Sequence, residues 1–306
     1  NLSVDDFFIV AKKGIFSTKN NTKYISVALK DKTGMIEGKI WDGVDEMVGL
    51  FDKNDIVHIK SRTRMYQEKP QLNITYIKKV ENEVSLEDMR SFFYESSAGV
   101  EKLKDDYFGL VEEIKNPHIA SLFSLFNNRK EILEKFFAFP ASIGVHHMYM
   151  GGLLEHSMSV AKIGKKAIEL IGGDRDIIIA GSLLHDIGKI DEIELRGGFK
   201  YSDRGRLLGH IAIGMMILES LINELPGFPA HIADMLSHII ISHHGVEEWG
   251  SPKKPMSIEA IMIHYLDNLD AKVMGAKEHM REHMEDEKWS EYHRLYETRF
   301  YKPPER

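Results

Sequence analysis

Five segments carry histidine or aspartate inside otherwise apolar stretches. His156 lies in GGLLEHSMSVAKIG, His185-Asp186 in IIIAGSLLHDIGKI, His210 in RGRLLGHIAIG, His243-His244 in HIIISHHGVEE and Asp267 in EAIMIHYLDNLDAK. Burying such groups is costly unless a cation or strong donors satisfy them. Imidazole nitrogen with carboxylate oxygen suits Mn, Fe, Co, Ni or Zn rather than Ca. Taken singly, each of these residues reads equally well as a hydrogen-bonded core side chain. The conjunction is what points to metal: H, then HD 29 residues later, then GH, HHG and D.

The adjacency of His185 and Asp186 has a chemical reading. Neighbours on a helix point about 100° apart and do not share a face. One carboxylate has two oxygens and can bridge two ions, so His185 would serve one ion and Asp186 both. Two ions roughly 3.5–4 Å apart can hold a phosphate and activate a water, a device suited to phosphoester hydrolysis. Lys189, just past the pair, reads either as a phosphate-holding cation or as a charge placed favourably at a helix C-terminus. Arg206 could clamp phosphate or be exposed, and Glu155 has a supporting or solvent-facing role. His146 and His147 could line a pocket and protonate a leaving oxygen.

These residues need helices from different parts of the chain to converge. Apolar residues at helical spacing predict helices over 152–171, 176–187, 208–224, 229–243 and 257–284, with His185 and His243 each near a helix end marked by Gly188 or Gly245. A helical stretch with Ser85 as its cap, and another from Pro117 toward Pro140, read as a connector over 83–140 between an N-terminal domain, 1–82, and the metal-bearing domain, 141–306. The last segment, WSEYHRLYETRFYKPPER, reads as a short helix and tail that docks by packing.

The first 80 residues have a different texture. FFIVAKKGIF, KYISVALKD, GMIEGKIW, DIVHIKSRTRMY and QLNITYIKKV alternate apolar and polar residues between turn-forming clusters. Five short strands in that length suit a small closed β-barrel, an SH3-like barrel being the rival to an OB fold. Tyr24, Trp41, Tyr66 and Tyr76 are candidates to stack on bases, and Lys60, Arg62, Arg64 and Lys69 to track a phosphate backbone. Trp41 is expected in the barrel core rather than on its surface. Residues 1–80 carry a net charge of +4 and the rest −11, giving the chain its −7. That balance excludes a uniformly basic nucleic-acid binder and leaves phosphate attraction to the first domain.

The chain has no cysteine, which excludes disulfides and thiolate metal sites and fits a reducing cytoplasm. Its start lacks the charged segment of a secretory signal, and without a run of eighteen apolar residues no membrane span is expected. Thirteen of the fifteen histidines follow position 140, which places the chemistry there.

The pattern H, HD and D resembles the HD superfamily of metal-dependent phosphohydrolases. The resemblance implies that His156, His185, Asp186 and Asp267 hold one ion, and that Asp186, His210 and His243 hold a second. His244 is then a substitute ligand or phosphate donor, and Asp270 a weaker candidate for the role of Asp267. Nearly the whole chain, through KYISVALKDKTGMIEGKIW, QLNITYIKKV, HHMYMGGLLEHSMSVA, SLLHDIGKI, GRLLGHIAIG and ISHHG, is similar to the YhaM family of 3′-to-5′ exoribonucleases, an OB fold followed by an HD domain. The resemblance favours His147 over His146 in the pocket. It implies hydrolysis of single-stranded RNA, or DNA, from the 3′ end, and with the reading of Lys189 above, the residues expected to take part in the chemistry are Asp186, Lys189, His244 and His147. Two other functions are weighed against it: an HD phosphodiesterase or phosphatase acting on small nucleotides, and a non-catalytic nucleic-acid-binding regulator. The sequence leaves oligomeric state open.

Overall fold

The computed structural model describes residues 2–18, 20–67, 69–80, 99–143, 149–195, 199–284, 286 and 288–303. The chain divides into two compact units, Asn1–Glu95 with Ile193–Tyr201, and Ser96–Glu192 with Ser202–Arg306.

The first unit is a closed five-stranded barrel. Its strands are β1 (Ser3–Ser17), β2 (Lys23–Asp31), β3 (Gly34–Ile40), β4 (Ile56–Tyr66) and β5 (Lys69–Lys79), in spatial order β1-β2-β3-β5-β4, with β4 pairing back onto β1. The β3–β5 pair is parallel and the others antiparallel. This is the OB arrangement. Period-two alternation turns Val10, Ile25, Val27, Leu29, Ile40, Val57, Ile59, Leu72, Ile74 and Ile77 inward. Register shifts at Val10/Lys12 and Lys60/Ser61 bend the two longest of the antiparallel pairings, as closure of so small a barrel requires. A one-turn helix, α1 (Val44–Met47), follows β3 and was not legible in the sequence.

A hairpin also absent from the sequence reading, β6 (Ile193–Leu195) with β7 (Phe199–Tyr201), belongs by its contacts to the barrel unit. Its Lys200 pairs with Asp55, which is 1% exposed and also meets Lys79 at 3.0 Å and the Asp52 amide at 2.7 Å. Burial pushes the Asp55 carboxyl up, but the two lysines and the amide outweigh it and hold its pKa below 3.8. A carboxyl depressed in the folded state stabilises above its unfolded pKa and loses that contribution as pH falls through the folded value. Asp55→Asn therefore costs about 1–3 kcal/mol at pH 7, and the gap from wild type closes below pH 4. Urea melts of the full chain at both pH values measure it.

The second unit is helical. It comprises α2 (Val100–Glu112), α3 (Pro117–Asn128), α4 (Lys130–Ala138), α5 (Gly152–Ile171), α6 (Arg175–Leu184), α7 (Lys189–Glu192), α8 (Asp203–Asn223), α9 (Ala230–Ser242) and α10 (Ile258–Glu282). Ser85 and the first part of the expected connector, 83–98, lie outside the described residues, as do His146 and His147. Side-chain caps start the helices: Asn116 for α3, Asp174 for α6, Ser202 for α8 and Ser257 for α10. One core joins α2–α10, including Tyr107, Phe123, Phe136, Leu154, Ile178, Leu183, Ile239 and Ile263. By length and composition α8 is apolar enough to cross a membrane. It nevertheless carries a histidine into the polar centre described next.

Candidate metal centre

Five elements aim side chains at one point. His156 projects from α5, His210 from α8 and Asp267 from α10, while His185 caps α6 and His243 caps α9. Two glycines let the helices approach. A Cβ on Gly181 would lie 2.6 Å from Ile239 and 2.8 Å from Ile263, and one on Gly164 would lie 2.8 Å from Ile178. In α8 the backbone breaks at Gly209 (φ 71°), immediately before His210, so the sequence-predicted start at 208 falls at this break, with a further turn of helix preceding it.

The ligand atoms form two groups around Asp186. On one side its Oδ2 lies 3.6 Å from His156 Nε2 and 3.4 Å from His185 Nε2, and Asp267 Oδ1 is 3.2 Å from His156 Nε2. On the other its Oδ1 lies 3.4 Å from His210 Nε2 and 3.5 Å from His243 Nε2. His244 joins the second group, its ring 4.4 Å from that of His243 and 5.0 Å from that of His210. All six expected ligands are thus brought together, and both halves of the HHG motif reach the centre.

The outer nitrogens settle which way each imidazole faces. His185 Nδ1 donates to the Ser182 carbonyl at 2.7 Å, and His243 Nδ1 to the Ile240 carbonyl at 2.8 Å. His156 Nδ1 meets Asp270 at 2.7 Å, and His210 Nδ1 meets Glu192 at 3.2 Å. Each outer partner is an acceptor, so each neutral ring keeps its proton on Nδ1 and turns a lone pair inward from Nε2. His156 Nε2 and His185 Nε2 then face each other at 3.2 Å. Asp186 Oδ1, His210 Nε2 and His243 Nε2 are buried without a hydrogen-bond partner. These three acceptors converge with no donor among the described residues between them, which fits a divalent cation.

Electrostatics agree. Burial works against the Asp186 carboxylate, but Lys189, His185 and His243 outweigh it and keep it ionised. Asp267 is likewise depressed against burial, by His156 and His185. Burial lowers the His243 pKa, keeping it neutral and fit to ligate. His156 is opposed by burial yet held up at about 9 by Asp267 and Asp270, so a proton and a metal ion compete for its Nε2. Lys189 donates to Asp186 Oδ2 at 2.6 Å and is raised, burial being outweighed by that carboxylate. In this arrangement it partners the ligand rather than capping a helix end.

Two carboxylates orient histidines, of which Glu192 escaped the sequence reading and Asp270 was given another role. Glu192 accepts from both the amide and the ring of His210, and Gly205 packs so close that a Cβ there would lie 2.2 Å from the Glu192 carbonyl. Asp270 was weighed as a substitute for Asp267. It instead holds the far side of His156, steadied by Ser159 Oγ at 2.5 Å. Replacing such a partner weakens metal binding about 10–100-fold. Asp270→Asn should weaken only the ion of the His156 group, and Glu192→Gln only that of the His210 group, as read by metal titration. Arg206 is exposed, and Glu155 accepts from the Tyr149 hydroxyl at 2.7 Å.

On the barrel, Trp41 lies outside the core. It stacks on Tyr24 at 4.7 Å, Phe16 stacks on Tyr24 at 5.8 Å, and Arg64 and Lys39 sit over Trp41 and Tyr24, each at 5.4 Å. Trp41 follows the last residue of β3, where strand alternation no longer decides facing. Lys60, Arg62, Tyr66 and Lys69 are exposed, Lys60 pairing with Asp5 at 3.5 Å. Tyr76 belongs to a separate set with His58 and Phe7.

The chain matches the HD domain family over residues 153–272 and the OB-fold nucleic acid binding domain family over residues 9–80. Among solved structures, the second OB-fold domain of replication protein A from Methanococcus maripaludis is similar at 27% identity over 28% of this chain and 90% of its own, with a TM-score of 0.23. The HD domain of the phosphodiesterase PgpH of L. monocytogenes is similar at 21% identity over 52% and 74%, with a TM-score of 0.32. The 3′-5′ exoribonuclease YhaM of Bacillus subtilis is 32% identical over 304 residues, 98% of this chain and 95% of that protein. Matched at that identity almost end to end, this chain is a member of the YhaM family of 3′-5′ exoribonucleases.

Proposed function

We propose that this chain hydrolyses phosphodiester bonds of single-stranded RNA from the 3′ end, releasing nucleoside 5′-monophosphates. The observation that carries the chemistry is the pair of ligand groups sharing Asp186, three of whose buried atoms have no hydrogen-bond partner. His156, His185 and Asp267 with Asp186 Oδ2 would hold one ion. His210 and His243, with His244 beside them, would hold a second with Asp186 Oδ1. Two borderline ions such as Mn, Fe, Co, Ni or Zn supply Lewis acidity and an activated water.

Hydrolysis forms a bond from the water oxygen to phosphorus and breaks the bond to the 3′-oxygen of the preceding nucleotide, which takes up a proton. Asp186 and Asp267 remain ionised and fix the histidines that face them. Lys189 keeps positive charge beside the phosphate through its bond to Asp186. His244, half-buried at the edge of the second group, would donate to a phosphate oxygen. The barrel supplies strand affinity through Tyr24, Trp41 and Arg64, since bases stack on aromatic faces irrespective of sequence.

The test is a 5′-labelled single-stranded RNA incubated with Mn²⁺ and resolved on a gel. A ladder shortening from the 3′ end supports the reading. Intact RNA together with cleavage of a small phosphodiester refutes it in favour of a nucleotide phosphodiesterase. Trp41→Ala should weaken strand binding by about 1–3 kcal/mol without changing cleavage of a dinucleotide, as measured by fluorescence anisotropy.

A further inference from the structure

The helix that carries Asp267 has a second face. Ile258, Ile261, Tyr265, Leu269 and Val273 recur along α10 at steps of three or four residues, which sets them on one side of the helix. Such a stripe normally faces a core. Here all five residues are between 42% and 67% exposed, while Ala260, Met262 and Ile263 of the same helix are buried in the core. Helix α10 thus has two apolar faces, and only one of them is covered by the described residues.

Two further residues extend the stripe. Leu170 and Ile171, at the end of α5, are 88% and 66% exposed. They lie beside the start of α10, since a Cβ on Gly173 would lie 3.3 Å from Ile168 and 3.7 Å from Ile258. The seven residues expose roughly 800 Å² per copy, about what each partner buries in a standard stable interface. The largest apolar patch on a typical monomer is smaller, about 300–600 Å². At about 100° per residue, α10 turns Asp267 and Asp270 roughly 140–200° away from Tyr265, toward His156. An occupant of the stripe therefore leaves the metal centre uncovered.

The spacing selects the occupant. About Tyr265 the stripe is close to its own mirror image: Ile261 and Leu269 lie four residues to either side, and Ile258 and Val273 seven and eight. Antiparallel packing of two copies about a two-fold axis at Tyr265 sets Ile261 against the second copy's Leu269, Ile258 against its Val273, and the two Tyr265 rings against each other. A foreign helix would need no such symmetry. Lys272 is exposed and interrupts the run, but its apolar stem lies along the second copy's Ile258 in this packing, with the ammonium in solvent.

We propose that this stripe is the interface of a homodimer in which two copies of α10 pack antiparallel about a two-fold axis at Tyr265.

Sedimentation velocity of the full chain at micromolar concentration tests the assembly. Wild type should sediment as a dimer of the 35.1 kDa chain. Tyr265→Glu sets two carboxylates face to face and should raise the dissociation constant at least tenfold, with an unchanged circular dichroism spectrum. The chain has no cysteine, so single cysteines report the register. Tyr265→Cys should form a disulfide-linked dimer on mild oxidation, because each copy meets the same residue at the axis. Ile261→Cys and Leu269→Cys should each stay unlinked alone but link when the two proteins are mixed. Alone, each is separated from its own copy by roughly 12 Å along the helices, against the roughly 4 Å between the Cβ atoms of a disulfide. A monomeric wild type overturns the proposal, and its binding to phosphatidylglycerol vesicles would then assign the stripe to a membrane surface. Linkage of Ile261→Cys alone, or a dimer untouched by Tyr265→Glu, overturns it equally.

Discussion

Asp186→Ala should lower nucleotide release from single-stranded RNA by at least about a thousandfold, the scale of losing preorganised charge stabilisation at a reacting phosphate. Among the described residues no other side chain serves both groups: one carboxylate oxygen faces His156 and His185, the other His210 and His243. Alanine removes both contacts at once. Asparagine preserves the shape but offers one oxygen and one amide, so it can serve a single group and turns a donor toward the other. The expected order of activity is wild type, then Asp186→Asn, then Asp186→Ala. Single-turnover cleavage measures it, and elemental analysis should show ion content falling in the same order. Without added metal the alanine variant should melt lower than wild type, because Lys189 loses the carboxylate it donates to and is left buried without its counter-charge. With metal, only wild type should gain its full stabilisation, as linkage requires of an ion that binds the folded state. An alanine variant keeping a tenth of the wild-type rate would sink the assignment.

Gly188→Ala should be the most disruptive small-to-small change in the helical unit. A Cβ at Gly188 would lie 1.9 Å from the His210 carbonyl oxygen and 2.6 Å from the Gly214 amide nitrogen, both backbone atoms. Gly188 is not among the glycines with positive φ, so contact and not conformation demands glycine here. Overpacking costs about 1–3 kcal/mol where side chains can yield. With backbone on the receiving side, the upper end of that range is expected. The damage should also be chemical and one-sided. Pushing α8 away displaces His210, so the ion held by His210 and His243 should bind about 10–100-fold more weakly, while the His156, His185 and Asp267 group keeps its own. Denaturant melts and two-step metal titration read the two effects separately. Equal weakening at both positions would mean that α8 does not move independently of α6.

The convergence of these histidines and aspartates was legible because each breaks the apolar pattern of its helix, and the cost of burying it alone points to a common cation. The helices that carry them were legible for the same reason, and α5 begins and ends where its periodicity places it. What surrounds them was not. Asp267 and Asp270 lie three residues apart on one face of α10, and sequence cannot say which meets the inner nitrogen of His156 and which the outer. Glu192 sits in a four-residue helix too short for periodicity to reveal its direction. The hairpin strands are three residues each, below the length at which alternation can be read. Trp41 was expected inward on composition, since small barrels need aromatics. Phe51 fills that role instead, leaving Trp41 to stack on Tyr24.

The hairpin Ile193–Tyr201 is drawn from the middle of the enzyme's sequence but belongs with the barrel, while its flanks belong with the helices. No single cut of the polypeptide therefore yields both parts whole. A fragment ending at Glu95 lacks Lys200 and leaves Asp55 with one of its two cations. A fragment starting at Ser96 carries two short strands stripped of the sheet-rich unit they complete. The same holds for a recombinant gene: a chimera that exchanges residues 1–95 for another barrel keeps a hairpin whose Lys200 has lost Asp55.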